Sequence, residues 1–268
     1  MTVILQSGYT VSGSDEPLTH ARIAHAENWK KGGTVSASTT DSDYFEDAPN
    51  NTLTYEKWKP TAAPATWEYN HTSSRNIDYC AIAAHTLGSS GATIKAQYYS
   101  GSSWVNLCDP TAIDDDSPIF IIFDTVNAER YRLRIDSYSS APEIGVIKFG
   151  VALQMQRPLF GGHKPIEWAR NVVLRTNSSE TGEFLGRSKQ RTFRETTYDW
   201  SHLSTPWVKA NWGEMQRAVE TEPFWIAWRP SNYEGVAFGV TDQSPQPTNM
   251  GVQDLMQVSL NVRARGYD

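Results

Sequence analysis

The chain has 268 residues, enough to bury a full core and to divide into two modest domains. Its 24 basic and 30 acidic residues leave a formal net charge of -6, so nothing electrostatic draws it to nucleic acid or to an anionic membrane. No segment is long and apolar enough to span a bilayer, and the start, MTVILQSGYTV, has no basic leader, long apolar region or small-residue cleavage site, so it does not read as a secretory signal.

Residues 1–75 are polar and turn-rich, with brief apolar runs at 20–26 (HARIAHA), 34–38 and 58–69, the last broken by Pro60 and Pro64. These are expected as long loops and edge strands laid over one end of a sandwich. The stretch 78–88 (DYCAIAAHTLG) predicts a short buried strand ending in a turn. Compatible strands follow at 94–99, 119–123, 130–135 and 144–149, with turns at 88–91, 100–103 and 137–142. In 130–135, Tyr131, Leu133 and Ile135 share one strand face while Arg130, Arg132 and Arg134 share the other, so one face is buried and one is wet. The run IFIIF at 119–123 has no polar positions and lies between Pro118 and Asp124, which predicts a central strand covered on both sides.

The texture changes after Gly150. Residues 156–165 (QRPLFGGHKP) read as a connector, dividing the chain into 1–155 and 156–268. In the second part a strand is predicted at 171–175, then a pair of strands over 184–198 around a polar turn at 187–190. Thr205 and Pro206 make a helix start, and Val208, Trp212, Met215 and Val219 form one stripe of a helix running to about 220. Pro223 ends it, and strands are predicted at 224–228, 236–240 and 255–262, the last alternating Met256, Val258, Leu260 and Val262 with Gln257, Ser259, Asn261 and Arg263. The fold class is therefore mainly β: an N-terminal antiparallel jelly-roll sandwich, then a second antiparallel β domain with one flanking α-helix.

Motifs for a nucleophile elbow, a zinc protease helix, a Walker loop or a dinucleotide fold are missing, and no catalytic residue, cofactor or resident metal is expected. Asp114, Asp115 and Asp116, with Asp109, could form a calcium cup, but clustered carboxylates more often cap a solvated turn. His20, His25, His71 and His85 are scattered; His85 follows a buried strand and is expected to be a satisfied hydrogen-bonding group. Cys80 and Cys108 read as two buried thiols, with a bridge between them as the alternative. Trp29, Tyr44, Trp58 and Trp67, placed in loops or at strand edges, are candidates for stacking on sugar rings, and Trp104 lies in similar surroundings; the competing role is core or interface packing. Trp207, Trp212, Trp225 and Trp228 are candidate subunit-interface residues.

The order DYCAIAAH, AQYYSGSSWVNL, IFIIFDTVNAERYRLRI, IGVIKFG resembles the discoidin or galactose-binding-like jelly roll over about residues 15–152, with 128–135 and 144–150 as the matching strands. That resemblance implies loops at one end of the sandwich that bind sugars or lipids. The second part, with SSETGEFLG at 178–186, PFWIAWRP at 223–230, Tyr233 and the closing alternating strand, is similar to tailed-phage proteins of the distal tail, in which a β-sandwich with a flanking helix assembles into rings. It implies a non-enzymatic structural component of a phage tail tip or baseplate, homo-oligomeric, with other phage tail proteins as partners. It also places the chain in the virion after synthesis in the bacterial host cytoplasm. The rival expectations are a carbohydrate-binding adhesin touching a host-surface glycan and, third, a glycosidase or depolymerase. Neither nucleic-acid binding nor membrane insertion is expected.

Overall fold

A computed structural model describes every residue except Met1, Ser14, Tyr233, Glu234, Val252, Gln253 and 266–268. Tyr233 of the tail-tip resemblance thus lies outside the described residues. The first ten strands are β1 (Thr2–Leu5), β2 (Arg22–Ala24), β3 (Thr34–Ala37), β4 (Ala65–His85), β5 (Thr93–Tyr99), β6 (Trp104–Asn106), β7 (Thr111–Ala112), β8 (Ile119–Ser137), β9 (Ile144–Gly150) and β10 (Leu153–Gln154). They are followed by β11 (Arg170–Ser178), β12 (Phe184–Ser204), helix α1 (Thr205–Val219), β13 (Phe224–Ala227), β14 (Val236–Val240), β15 (Thr248–Asn249) and β16 (Leu255–Arg265).

The antiparallel sandwich is formed as its alternation dictates, but two strands serve both of its layers. β4 and β8 pair along their length with slips after Asn70 and after Ile77, and these irregularities let each strand bend from one layer into the other. One layer holds β3, the first part of β4, the last part of β8, β5 and β6; the other holds β9, the second part of β4, the start of β8, and β1 in parallel. The stretches 119–123 and 130–135 are therefore one continuous strand, and residues 65–77 extend the predicted 78–88 strand backwards. Tyr131, Leu133 and Ile135 are buried and their arginine neighbours are partly exposed.

Ile119, Ile121 and Phe123 face the sandwich core, with Trp67, Leu133 and Ile147. Phe120 and Ile122 face the opposite way, where Tyr79, Ala81 and Val146 meet Ala24, Trp225 and Phe238 of the second sheet. The central strand is covered on both sides as predicted, and its outer cover is the second lobe. That lobe is a sheet in the order β10-β2-β13-β14-β16-β12-β11, with β15 added on β16. α1 lies on its far side through Val208, Trp212, Met215 and Val219, the predicted stripe, packed among Tyr198, Trp200 and Leu260.

Three expectations are corrected. Ser204, one residue before the predicted cap, is the N-cap of α1, its Oγ accepting from Trp207 N at 3.4 Å. Residues 184–198 do not form two strands around 187–190: β12 runs unbroken through them, and its hairpin partner is β11. The division at 155 also does not follow the sheets, because β2 and β10 pair in the second sheet, with Trp225 opposite Ala24 and Ile226 opposite Ile23.

Candidate functional site

The slip between β4 and β8 builds a cavity. From Ile77 to Tyr79 β4 advances two positions while its partners on β8 run from Val126 to Ile122, so Phe123, Asp124 and Thr125 bow out of the ladder. These residues wall a cavity of about 370 Å³ that is closed by Tyr9, Thr10, Ser12 and Asp15, by Arg22 and Asp78, and by Ala152 and Gln154. The volume is at the low end of small-molecule pockets, about 300–1,000 Å³.

Its electrostatics are set by two buried charges. Arg22, 1% exposed, donates through Nη2 to the Glu16 carbonyl, while its Nη1 has no hydrogen-bond partner among the described residues. Burial holds its guanidinium below the usual range, against the opposing field and hydrogen bond of Tyr9 and the field of Asp78. Asp78 sits at the slip and accepts the Ala152 N–H at 2.8 Å; burial pushes its carboxyl up to about 7. Burial also acts to raise Asp15, but hydrogen bonds from Ser12 Oγ at 2.7 Å and Gln154 Nε2 at 2.9 Å outweigh it and hold Asp15 below the usual range. Carboxylates that accept, a guanidinium with an unused donor, and hydroxyls and an amide that do either suit a neutral polyhydroxyl ligand. An anion would meet Asp15 and Asp124.

The cavity continues along the lobe junction. A second space of about 530 Å³ shares Asp15, Ala152 and Gln154 with the first and adds His25, Asn28 and, from α1, Trp207, Asn211 and Glu214. Burial pushes His25 down to about 4, and its Nδ1 has no hydrogen-bond partner among the described residues. Together the two spaces form a polar groove with the half-buried Trp207 ring on its wall.

Three of the four predicted sugar-stacking rings are packed inside the protein. Trp58 and Trp67 are fully buried, their Nε1 atoms donating to the carbonyls of Thr39 at 3.0 Å and Glu46 at 2.8 Å, so neither offers a face to a ligand. Trp29 is 8% exposed and meets Trp225 edge-on at 6.0 Å. Tyr44 stays at the surface, but its hydroxyl donates to Glu143 at 2.7 Å and Lys59 covers its ring at 5.1 Å. That bond to the Glu143 carboxylate pushes the phenol up to about 12. In the same loop the exposed rings are Phe45 and Tyr55, neither of them among the residues expected from the sequence. Trp104 lies under Arg132, 3.9 Å from its ring centre.

Of the interface candidates, Trp212 and Trp225 are core residues, donating to Pro245 O at 2.8 Å and Ile82 O at 3.2 Å, and cannot reach another subunit. Trp207 and Trp228 are half-buried; Trp228 packs on His163 at 4.6 Å. His85 is satisfied on both ring nitrogens, through Ser117 O at 2.8 Å and Leu87 N at 3.2 Å. Asp115 and Asp116 cap the turn, accepting from Ser117 N and Ser89 N at 2.9 Å each. Cys80 and Cys108 are separate buried thiols.

No family model matches the sequence, and neither does any curated protein. Among solved structures, a pectin-binding carbohydrate-binding module is similar at 16% identity and a TM-score of 0.38, covering 43% of this chain and 88% of that one. The family 32 module of Clostridium perfringens NanJ, in complex with galactose, matches at 14% identity and 0.38, over 48% of this chain and 98% of that one. SpGH29 matches at 15% identity and 0.40; 47% of this chain is covered, but only 28% of SpGH29. This chain thus spans little more than a quarter of that larger protein.

Proposed function

We propose that this chain is a non-catalytic glycan-binding protein that takes its ligand in the groove between its lobes. The observation that carries the reading is the pairing of buried Arg22, with an unused donor, and three aspartates around one cavity that runs on to the Trp207 ring. A pyranose presents vicinal hydroxyls that donate to carboxylates and accept from a guanidinium, and an apolar face that stacks on indole. The carbohydrate-binding adhesin, the rival expectation from the sequence, takes this form, with the site moved from loop aromatics to the lobe junction. Titration calorimetry against a panel of neutral oligosaccharides tests it. Trp207→Ala and Asp124→Asn should each weaken a hit about ten-fold or more, with the melting temperature nearly unchanged. Absence of binding across a broad glycan array would sink the proposal.

A second reading, a structural component of a phage tail tip or baseplate, is favoured by one feature of the second lobe. β11 and the first half of β12 form a two-stranded ribbon that leaves the sheet: among the described residues β16 meets β12 only from Phe193 onward. The ribbon exposes Val172, Leu174, Phe184 and Leu185, and residues 170–194 carry six basic and two acidic side chains in a chain of net charge -6. A second copy of this chain is the partner its charge suits, with the basic ribbon of one copy on the acidic first lobe of the next. In this reading the copies form a ring or collar with other tail proteins, and the first lobe points outward.

A further inference from the structure

A separate cavity of about 300 Å³ lies on another part of the lobe junction, lined by Trp29, Lys30, Lys31, Thr52, Lys148 and Glu222 among others. Three lysines and one glutamate line it, in a protein that is acidic overall. Lys148 reaches it from β9 and is 7% exposed; its Nζ lies 4.9 Å from the centre of the Trp29 ring and donates one proton to the Asn50 carbonyl. An ammonium has three donors, so two remain beyond that bond. Glu222, from the second lobe, accepts from Thr52 Oγ1 at 2.8 Å. Trp29 lines the same wall, its Nε1–H buried and without a hydrogen-bond partner among the described residues. An indole N–H can only donate, and left unpaired in the interior it costs free energy.

The wall is therefore rich in donors and positive charge, with a buried N–H that no described residue satisfies. Burial pushes the Lys148 ammonium down to about 8, against the attraction of Glu222, as expected of a charge that lacks a full counter-charge. Gly150 keeps this wall close: β9 ends there in a bridge to Trp29, and a Cβ at that position would overlap the Asn28 carbonyl and the Tyr79 hydroxyl. The arrangement is the converse of the Arg22 groove, where carboxylates predominate and an anion is disfavoured.

We propose that this cavity binds a compact oxyanion, seated between Lys148, Lys31 and the Trp29 indole N–H. A sugar carboxylate and an inorganic sulfate share that chemistry, and the site does not depend on the groove described above. The test uses the full chain at constant ionic strength, titrated by calorimetry with sodium glucuronate, with sodium sulfate and, as the uncharged control, with glucose. Glucuronate and sulfate should bind saturably in the millimolar range or tighter. Lys148→Met should weaken binding by about ten- to a hundred-fold, and Trp29→Phe, which keeps a ring but removes the N–H, by about three- to ten-fold. Should Lys148→Met fail to fold, Lys31→Gln and Trp29→Phe carry the comparison, each checked by its melting curve. Preference for glucuronate identifies an acidic sugar as the source, and equal or tighter sulfate binding identifies the inorganic anion. Absence of saturable binding by both, binding of glucose equal to that of glucuronate, or folded variants that bind as the parent does would overturn the proposal.

Discussion

At Asp78 two effects compete, and burial wins. The Arg22 cation and the Ala152 N–H both favour the ionised carboxylate, yet removal from water raises the carboxyl to about 7. Because the folded value lies above the ordinary 3.8, the folded chain keeps a proton that the unfolded chain gives up between about pH 4 and 7. The stability tied to this group is present in full below pH 4, falls as the pH rises through that window, and is lost above it. Asp78→Asn keeps an oxygen for the Ala152 N–H but cannot ionise. Relative to the parent, the variant should therefore gain roughly 2–4 kcal/mol on going from pH 4 to pH 8, read from urea unfolding at several pH values. Parallel pH profiles for the two proteins would refute the assignment. Part of this site was written in the sequence: Arg22 interrupts HARIAHA and Asp78 heads DYCAIAAH, each a charge inside an apolar run. Their meeting was not, because 56 positions separate them and only the paired sheets bring them together.

Elements whose burial follows one simple period were legible, and those without a covering surface were not. The α1 stripe repeats at 3.6 residues and lies buried as predicted; the alternation in 255–262 and 130–135 is the period of a half-covered strand. The ribbon defeats that logic. Its residues 184–192 are exposed or half-exposed whichever way they point, so RSKQ looks like a turn although it is mid-strand. Tryptophans misled for the opposite reason: Trp58 and Trp67 sit in polar, proline-broken sequence, but backbone carbonyls satisfy their indoles and let them enter the core. A two-stranded ribbon with apolar side chains in water is marginal by itself. Association through it should appear as a concentration-dependent mass in light scattering, weakened by salt. Phe184→Ser with Leu185→Ser should shift the chain to monomer while changing unfolding stability by only about 0.5 kcal/mol, since both side chains are already exposed. A chain that is monomeric at every concentration would remove self-association through the ribbon.

The whole molecule is three sheet layers and a helix built as one body, and the connector at 156–165 is not a seam. The middle layer is apolar on both faces: Cys80, Ile82 and Ile121 turn to the sandwich core, while Tyr79, Ala81 and Phe120 turn to the second sheet. That sheet in turn takes β2 and β10 from the first 155 residues, and Trp225 donates to Ile82 O across the junction. Cutting at the connector would strip β13 of β2, one of its two neighbours, and leave Trp225 and Phe238 without their cover. An open apolar edge of this kind pairs with other chains in preference to folding alone. Residues 156–268 expressed by themselves should therefore aggregate or lack a cooperative melt. The intact chain should lose near-ultraviolet and far-ultraviolet dichroism in one coincident transition. Residues 1–155 should fare little better, since Tyr79, Ala81 and Phe120 would face water. A dispersed NMR spectrum and a sharp melt from the 156–268 fragment would show instead that its sheet closes without β2, and the groove at Arg22 would then lie between two separable domains.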